Sequence, residues 1–355
     1  MRFSKALLTA VAAFAAMAVA AQEGPPAGDP PAKAKAGPGL SDLDETVDRL
    51  LQEESRPAGE PAPSAPESPP AETPATSAAP AESTAPAAPA PAPARPAAAA
   101  AATPAGPPPP LTRAQIATLD RNVERGRLLV AIARAGMIAT QDMLTRVSDP
   151  DGAGISGWIA EPAGNSMIVT FYADGGEGEA AARKAVYRAT VLGGRVTARD
   201  VFLGADRPAL TPIQARMAAA RAVSENAELR ACTDQPFNVL VVPPAASGAA
   251  IDVYRISTPA QRGRFPLGGH FRSTVAADGT VESRGFANAC VNLDAPAVAA
   301  GQQPAPIGVT HLLDPLPTEI HLLLAQTVGR PLLVVAGEPQ RLWLVTGDRI
   351  AEVRN

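Results

Sequence analysis

The chain is poor in the side chains that most often carry out chemistry. Among 355 residues there are two cysteines and three histidines, and aromatic side chains make up 4%. It contains no Walker loop, nucleophile elbow, CxxC or HExxH motif, so no pattern supports a nucleotide, α/β-hydrolase, dithiol or zinc-protease site. Residues 152–157 match GxGxxG, but they follow a predicted helix and precede a predicted strand, the reverse of a dinucleotide site. We therefore predict no cofactor.

The chain also lacks a basic region of the kind that binds nucleic acid. Residues 111–355 hold 23 acidic and 24 basic side chains, a balance of +1. Residues 22–110 hold 12 acidic and five basic side chains, a balance of −7. Non-specific binding to nucleic acid or anionic lipid needs a basic footprint. We therefore predict no nucleic-acid partner.

The first 21 residues have the pattern of an export signal. Arg2 and Lys5 precede an apolar stretch of sixteen residues that ends in a small-residue cleavage pattern, Ala18-Val19-Ala20. A retained membrane anchor is the alternative, but a span needs about twenty strongly apolar residues. No later run of the sequence suggests a span, so we predict no integral membrane segment after signal cleavage and a periplasmic or secreted location.

Residues 22–110 are predicted to be a disordered tether rich in proline and alanine. From Ser55 to Pro110 there is no aromatic and almost no branched aliphatic side chain to compensate for the entropy lost on ordering. Proline favours extended polyproline-II segments, so the tract is expected to act as a spacer, although such tracts also occur as low-complexity insertions without that role.

One segment of the tether, Leu40–Glu54, has the spacing of a short amphipathic helix. Leu40, Leu43 and Val47 recur at helical intervals, and Ser41 is placed to cap the N-terminus. A helix of about fourteen residues is marginal alone in water. Three alternatives remain open: it docks in a partner protein, it packs on the chain's own domain, or it forms only transiently.

Residues 111–355 are predicted to form one folded α+β domain, with a candidate sub-boundary near 228–236. Thr112–Gln115 and Thr211–Gln214 read as capping boxes. The first predicts a helix to about Ala135, followed after Gly136 by a second helix over 138–147. The second box predicts a helix to about Ala227.

Strands are predicted between and after these helices. Gly193-Gly194, Asp278-Gly279 and Gly347-Asp348 are hairpin signals, and strands are expected over 167–172, 187–192, 195–202, 237–242, 252–257, 308–313, 320–325 and 332–335. The connections read as too short for parallel crossovers. We therefore predict N-terminal helices and a largely antiparallel sheet that ends in a C-terminal meander.

The two cysteines, Cys232 and Cys290, are predicted to form one disulfide. An exported chain meets oxidising conditions, and a lone pair with long spacing favours a structural bridge. In the chain-entropy model, closing a loop of this length stabilises the fold by about 4 kcal/mol. A catalytic thiol is the alternative.

The three histidines are the main candidates for chemistry. His311 and His321 are expected on adjacent strands of one hairpin, and the length of the intervening loop decides whether they share a face. With Asp314 or Glu319 and His270, a metal site is conceivable. Histidines in a sheet are more often hydrogen-bonded structural residues, so the prediction for metal is none.

A second candidate lies in the segment from Arg262 to Arg272. Arg264, His270 and Arg272 are candidates for binding a carboxylate or phosphate, and an imidazole can exchange protons near neutral pH. The alternative is an ordinary turn with a solvated arginine rim. No serine is placed by its spacing to be activated by these histidines.

The domain resembles a group of exported proteins from high-GC bacteria for which no activity is known. The resemblance covers Leu111 to the C-terminus, omits the tether, and implies an envelope location with no catalytic residue. It rests on Arg125-Gly126-Arg127-Leu128-Leu129, Gly157-Trp158-Ile159, Phe265-Pro266-Leu267-Gly268-Gly269-His270-Phe271, His311-Leu312-Leu313-Asp314-Pro315 and Glu319-Ile320-His321.

Two functions of different class follow. The first is a non-catalytic envelope domain that binds a protein, a cell-wall component or a small ligand, either through Leu40–Glu54 or through the folded domain. The second is a periplasmic hydrolase-like enzyme that uses His270 with His311 or His321 and nearby carboxylates.

Overall fold

The computed structural model describes residues 108–175, 182–295, 298 and 302–354. The predicted signal at 1–21, the tether up to Pro107 and the predicted helix Leu40–Glu54 lie outside the described residues. The described residues belong to one compact unit. They form three helices: α1 (Arg113–Arg146), α2 (Pro212–Glu225) and α3 (Glu319–Val328).

Fourteen strands are formed by the described residues. They are β1 (Ile155–Ala163), β2 (Ser166–Ala173), β3 (Lys184–Leu192), β4 (Arg195–Val201), β5 (Asn238–Val241), β6 (Ile251–Ile256), β7 (Arg264–Pro266), β8 (Phe271–Val275), β9 (Val281–Gly285), β10 (Asn292–Asp294), β11 (Ile307–His311), β12 (Leu332–Ala336), β13 (Arg341–Val345) and β14 (Ile350–Glu352).

The strands form four sheets, which are mostly antiparallel within the described chain. Sheet A has the order β1-β2-β3-β4, and sheet B has the order β5-β6-β8-β9. β7 and β10 form sheet C, a two-stranded ribbon, and sheet D has the order β11-β12-β13-β14. The predicted α+β class with a largely antiparallel arrangement is confirmed. All three predicted hairpin turns join neighbouring strands: β3 to β4, β8 to β9, and β13 to β14.

The prediction of a strand over 320–325 is wrong, because these residues lie in α3. Thr318 is the N-cap of this helix, and Gly329 ends it with a left-handed φ of 70°. The apolar run between them is leucine-rich, with few of the β-branched side chains that favour strands. The connection over 312–331 is long enough for a crossover, and β11 pairs with β12 in parallel. The C-terminal region is therefore not a simple meander, and His311 and His321 do not lie on adjacent strands.

The prediction of two helices separated at Gly136 is also wrong, because α1 is continuous over 34 residues. Gly136 lies on the buried face of α1, directly against the indole ring of Trp158 in β1. A Cβ at this position would lie 2.5 Å from the Trp158 ring. Glycine is therefore used here for the close approach of helix and sheet, rather than to end the helix. Both predicted capping boxes, at Thr112 and Thr211, are confirmed.

Two buried clusters hold the domain together. The larger joins α1 with sheets A, B and D and with α3. The smaller joins sheet A, α2 and sheet B. Tyr172 and Met217 of the smaller cluster precede the candidate sub-boundary at 228–236, and Val241 and Val253 follow it. The segments on the two sides of the sub-boundary therefore share one apolar cluster.

Helix α1 has the length and apolar composition of a membrane span, with a mean hydropathy of 1.2 over its most apolar window. The prediction that no run after the signal suggests a span is therefore wrong by length and composition alone. The apolar residues Leu129, Ile132 and Met143 of α1 are buried in the larger core cluster, and 44% of that window is buried inside the domain. The core helix of a globular domain passes the same test by length and composition.

Cys232 and Cys290 form the predicted disulfide, with their Cα atoms 5.2 Å apart. The bond ties the loop before β5 to the loop before β10. A disulfide is compatible with the oxidising, exported location that the sequence predicts.

Replacement of Gly136 by alanine is expected to destabilise the domain by about 1–3 kcal/mol, because the new methyl group must displace Trp158 or α1. In an ordinary helix interior the same change would stabilise by about 1 kcal/mol, so the sign of the effect tests the contact. Urea unfolding measures it. Gly308→Ala is the control, since a Cβ there meets no atom within 4 Å. Equal or higher stability of Gly136→Ala would contradict the close packing.

Candidate functional site

The candidate residues gather around a row of three side chains that crosses sheet B. Tyr254 of β6 lies opposite Arg272 of β8, and Arg272 lies opposite Arg284 of β9. Directly opposed residues in an antiparallel pair share one face of the sheet. Two like charges side by side are unfavourable unless anions neutralise them, so the row needs carboxylates.

The first carboxylate is Glu319, in the first turn of α3. Its Oε1 accepts hydrogen bonds from the Tyr254 hydroxyl at 2.9 Å and from Arg272 Nη1 at 3.2 Å. Glu319 is only 4% exposed. It lies in the first turn of α3, where the helix dipole favours an anion. Burial and the neighbouring Glu319 carboxylate raise the pKa of Tyr254 above its ordinary value of 10.0. The tyrosine is therefore a neutral donor at neutral pH.

The second carboxylate is Asp314, in the connection from β11 to α3. It receives two hydrogen bonds from Arg284, at 2.6 and 3.2 Å, and lies 3.0 Å from His311 Nε2. Burial alone would raise the pKa of Asp314, but the bonds from His311 and Arg284 lower it to about 2. Asp314 is therefore an anion that is already paired on two sides.

His321 packs against His311 edge to face, with ring centroids 4.7 Å apart. Its Nδ1 accepts a hydrogen bond from the Thr318 backbone N–H at 3.0 Å. His321 thus takes the position that glutamine takes in the other two capping boxes of this domain. Burial, reinforced by the nearby His311, lowers the pKa of His321 to about 3, so the ring is neutral at neutral pH.

His270 lies in the loop between β7 and β8 and is 1% exposed. Its Nδ1 accepts a hydrogen bond from the Ser257 backbone N–H at 3.2 Å, and its Nε2 donates to the Pro266 carbonyl at 3.1 Å. Burial lowers the pKa of His270 to about 4. Both ring nitrogens therefore have backbone partners, and neither is left to bind a ligand or exchange a proton with one.

The predicted ligand-binding residues are divided between two places. Arg272 belongs to the row on sheet B, whereas Arg264 lies on β7 and makes an exposed ion pair with Asp294 at 3.7 Å. His270 lies between them in sequence but is buried. The structure therefore does not bring Arg264, His270 and Arg272 to one open surface.

The predicted metal candidates His311, His321, Asp314 and Glu319 come close together but face different partners. Glu319 binds Tyr254 and Arg272, while Asp314 binds Arg284 and His311. Among the residues that the structure describes, no group of three His, Cys, Asp or Glu side chains converges as a metal-ligand set.

Two members of the site, Tyr254 and Arg284, were missed by sequence reasoning. Their role follows from strand register across sheet B, which no local pattern in the sequence specifies. Thr318 was also missed, because a histidine at the third helical position is not the usual glutamate or glutamine of a capping box.

Comparison of the chain with protein-family models, with curated proteins and with solved structures finds no match. The resemblance to exported bacterial proteins therefore stays a prediction. The site must be interpreted from its own contacts.

His321→Gln is expected to keep the start of α3 and to weaken the acid sensitivity of the fold. Below pH 6.5 the unfolded chain protonates His321, whereas the folded chain does not until about pH 3. The free energy of unfolding should therefore fall as pH falls through this range, by at most about 1.4 kcal/mol per pH unit from this residue. Glutamine removes that contribution while preserving the cap. Urea unfolding between pH 7 and pH 4 measures the slope, and equal slopes for both proteins would contradict a neutral, buried His321.

Glu319→Ala is expected to destabilise the domain by about 1–3 kcal/mol, because the buried Tyr254 hydroxyl and Arg272 both lose their acceptor. The matched control is Asp294→Ala, which removes a carboxylate from the exposed pair with Arg264 and should cost less than about 0.5 kcal/mol. Urea unfolding of both variants measures the difference. Equal effects would show that the sheet B row contributes no more than a surface pair.

Proposed function

We propose that this chain is an exported, non-catalytic envelope domain that binds an acidic protein partner. The observation that carries the proposal is the state of the three histidines. His270 and His321 are buried and neutral with backbone partners, and His311 is paired with Asp314. A hydrolase needs an acid or base that reaches its substrate, and each histidine of the alternative function is committed to holding the fold.

Further support comes from the surface that α1 and β4 form together. Arg134 and Arg146 of α1, together with Arg199 of β4, form what we call the arginine face. Arg134 reaches the hairpin turn that precedes Arg195, since a Cβ at Gly194 would lie 3.4 Å from its guanidinium. Arg199 lies 3.0 Å from Asp142 of α1, and that carboxylate also accepts a hydrogen bond from Tyr187 at 2.5 Å.

The arginine face holds a surplus of positive charge. Arg134 and Arg146 are exposed and make no hydrogen bond or ion pair within the described part of the chain. Against the three arginines of this face stands Asp142, which leaves +2 on a domain whose overall balance is +1. Exposed, unpaired guanidinium groups suit an interface with carboxylates, which they bind with two parallel hydrogen bonds. An acidic protein surface is the partner that this charge favours.

The proposal is tested by partner capture with the mature chain from Gln22 as bait in an envelope extract. The test variant carries Arg134→Glu and Arg146→Glu. We expect at least one acidic protein that the wild type retains to be lost with this variant, because two attractive contacts become repulsive.

The matched control carries Arg113→Glu and Arg230→Glu, which change the net charge equally at exposed arginines outside the arginine face. Urea unfolding confirms that both variants fold. Loss of the same proteins with both variants, or with neither, would contradict a specific role of the arginine face. Hydrolytic activity that His270→Asn abolishes without unfolding would contradict the non-catalytic assignment.

A further inference from the structure

The two ends of the disulfide are held to the domain in different ways. At one end, hydrogen bonds fix the chain around Cys232 without help from its sulfur. The Cys232 backbone N–H donates to Ser257 Oγ at 2.9 Å, and that hydroxyl donates to the Gly269 carbonyl at 2.8 Å. The next residue, Thr233, donates from Oγ1 to the Thr258 carbonyl at 2.7 Å. The chain at Cys232 is therefore held in place independently of the sulfur bond.

The other end lies in the segment Ala287–Cys290, which we call the Cys290 loop. It forms no helix or strand, and its four residues make no hydrogen bond within the described part of the chain. Its neighbours are bonded: the Phe286 N–H donates to the His270 carbonyl at 3.1 Å, and the Leu267 N–H donates to the Val291 carbonyl at 2.8 Å. Between these two bonds, the disulfide is the one cross-link from the loop to the rest of the described domain.

The Cys290 loop covers a buried turn made by Gly268 and Gly269. A Cβ at Gly268 would lie 2.1 Å from the Ala289 carbonyl oxygen, and a Cβ at Gly269 would lie 2.7 Å from Cys232 Sγ. Glycine is therefore needed for the loop and the sulfur to come this close. Movement of the loop would uncover both the turn and the Cys232 sulfur.

The fold on both sides of the Cys290 loop is fixed by contacts that do not depend on the disulfide. Before the loop, Phe286 is buried and its ring stacks on Tyr254, with centroids 6.2 Å apart. After the loop, β10 pairs with β7. Loss of the disulfide therefore frees the loop and leaves its flanking segments in place.

Exposure decides which sulfur an external thiol reaches. Cys290 is exposed, whereas Cys232 is partly buried. In thiol–disulfide exchange, a thiolate attacks one sulfur and the other sulfur leaves, so the accessible cysteine is the one that becomes modified. Exposed disulfides are also the labile ones, whereas most structural disulfides resist reduction.

We propose that Cys290 is a site of modification by small thiols, and that the modification opens the Cys290 loop without unfolding the domain. The thiolate attacks Cys290 Sγ and forms a new S–S bond there. The bond to Cys232 breaks, and Cys232 leaves as a thiolate that takes a proton from water. A second thiol then attacks the sulfur of the first, which releases Cys290 as a thiol and leaves the two small thiols joined as a disulfide. The inference does not rest on the proposed function.

Brief treatment of the oxidised mature chain with reduced glutathione, without denaturant, tests the site. N-ethylmaleimide then blocks the released thiol, and peptide mass spectrometry locates both adducts. The chain has two cysteines, so each adduct has two alternative positions. We expect glutathione on Cys290 and maleimide on Cys232 at least tenfold more often than the reverse. Equal amounts, or glutathione mainly on Cys232, would overturn the proposal.

The dependence of this reaction on urea separates local access from global unfolding. If exchange needed the unfolded chain, its rate would rise by about tenfold or more per molar urea, because the unfolded fraction rises by that factor. We expect a change of less than about twofold per molar below the unfolding transition. A rate that follows the unfolded fraction would overturn the proposal.

Hydrogen exchange of the mature chain, with and without dithiothreitol, shows what the disulfide holds. We expect the Leu267 amide to exchange at least tenfold faster after reduction, because its acceptor, Val291, adjoins the freed loop. The Cys232 amide is the internal control and should change less than about twofold, since Ser257 still holds it. Equal acceleration at both amides, unchanged exchange at Leu267, or loss of protection throughout sheet A would each overturn the proposal.

Discussion

The buried carboxylate of Glu319 is the contact on which the arrangement of the C-terminal half depends. It lies at the start of α3 and accepts hydrogen bonds from Tyr254 and Arg272 of sheet B. The same helix start is held to α1 by Asn122, which donates to the Pro317 carbonyl at 2.9 Å. One connection therefore meets both sheet B and the long helix, and sheet D follows because α3 is the crossover between β11 and β12.

The charges at this junction are paired, and that pairing has a functional consequence. Arg272 and Arg284 lie side by side on sheet B; Glu319 at the start of α3 neutralises Arg272, and Asp314 of the β11–α3 connection neutralises Arg284. An anionic ligand would have to displace one of these carboxylates, and displacing the buried Glu319 costs several kcal/mol. The fold also uses the histidines: burial keeps His270 and His321 neutral, and both rings are hydrogen-bonded to the backbone.

The features of the fold that depend on residues close together in the sequence were predicted correctly. The capping boxes at Thr112 and Thr211 and the three hairpin turns are short-range patterns, and the structure contains them. The disulfide followed from the count of cysteines. Gly136 does not end the helix; it is needed for the contact with Trp158, which is distant in sequence and leaves no local signal. The leucine run in α3 was ambiguous because a short apolar segment fits a strand or a buried helix. The gathering of Tyr254, Arg272 and Arg284 depends on register between strands, which sequence spacing alone does not give.

The two groups of arginines in this domain differ in one physical respect. Those on sheet B have carboxylate partners from the fold itself, so their charge stabilises the junction and is not available to another molecule. Arg134 and Arg146 are exposed and have no such partner among the described residues. Replacing water around an exposed guanidinium with a carboxylate costs little, because neither group is deeply buried beforehand. The proposed recognition of an acidic partner therefore uses charge that the fold has left unpaired on α1, and not the histidines.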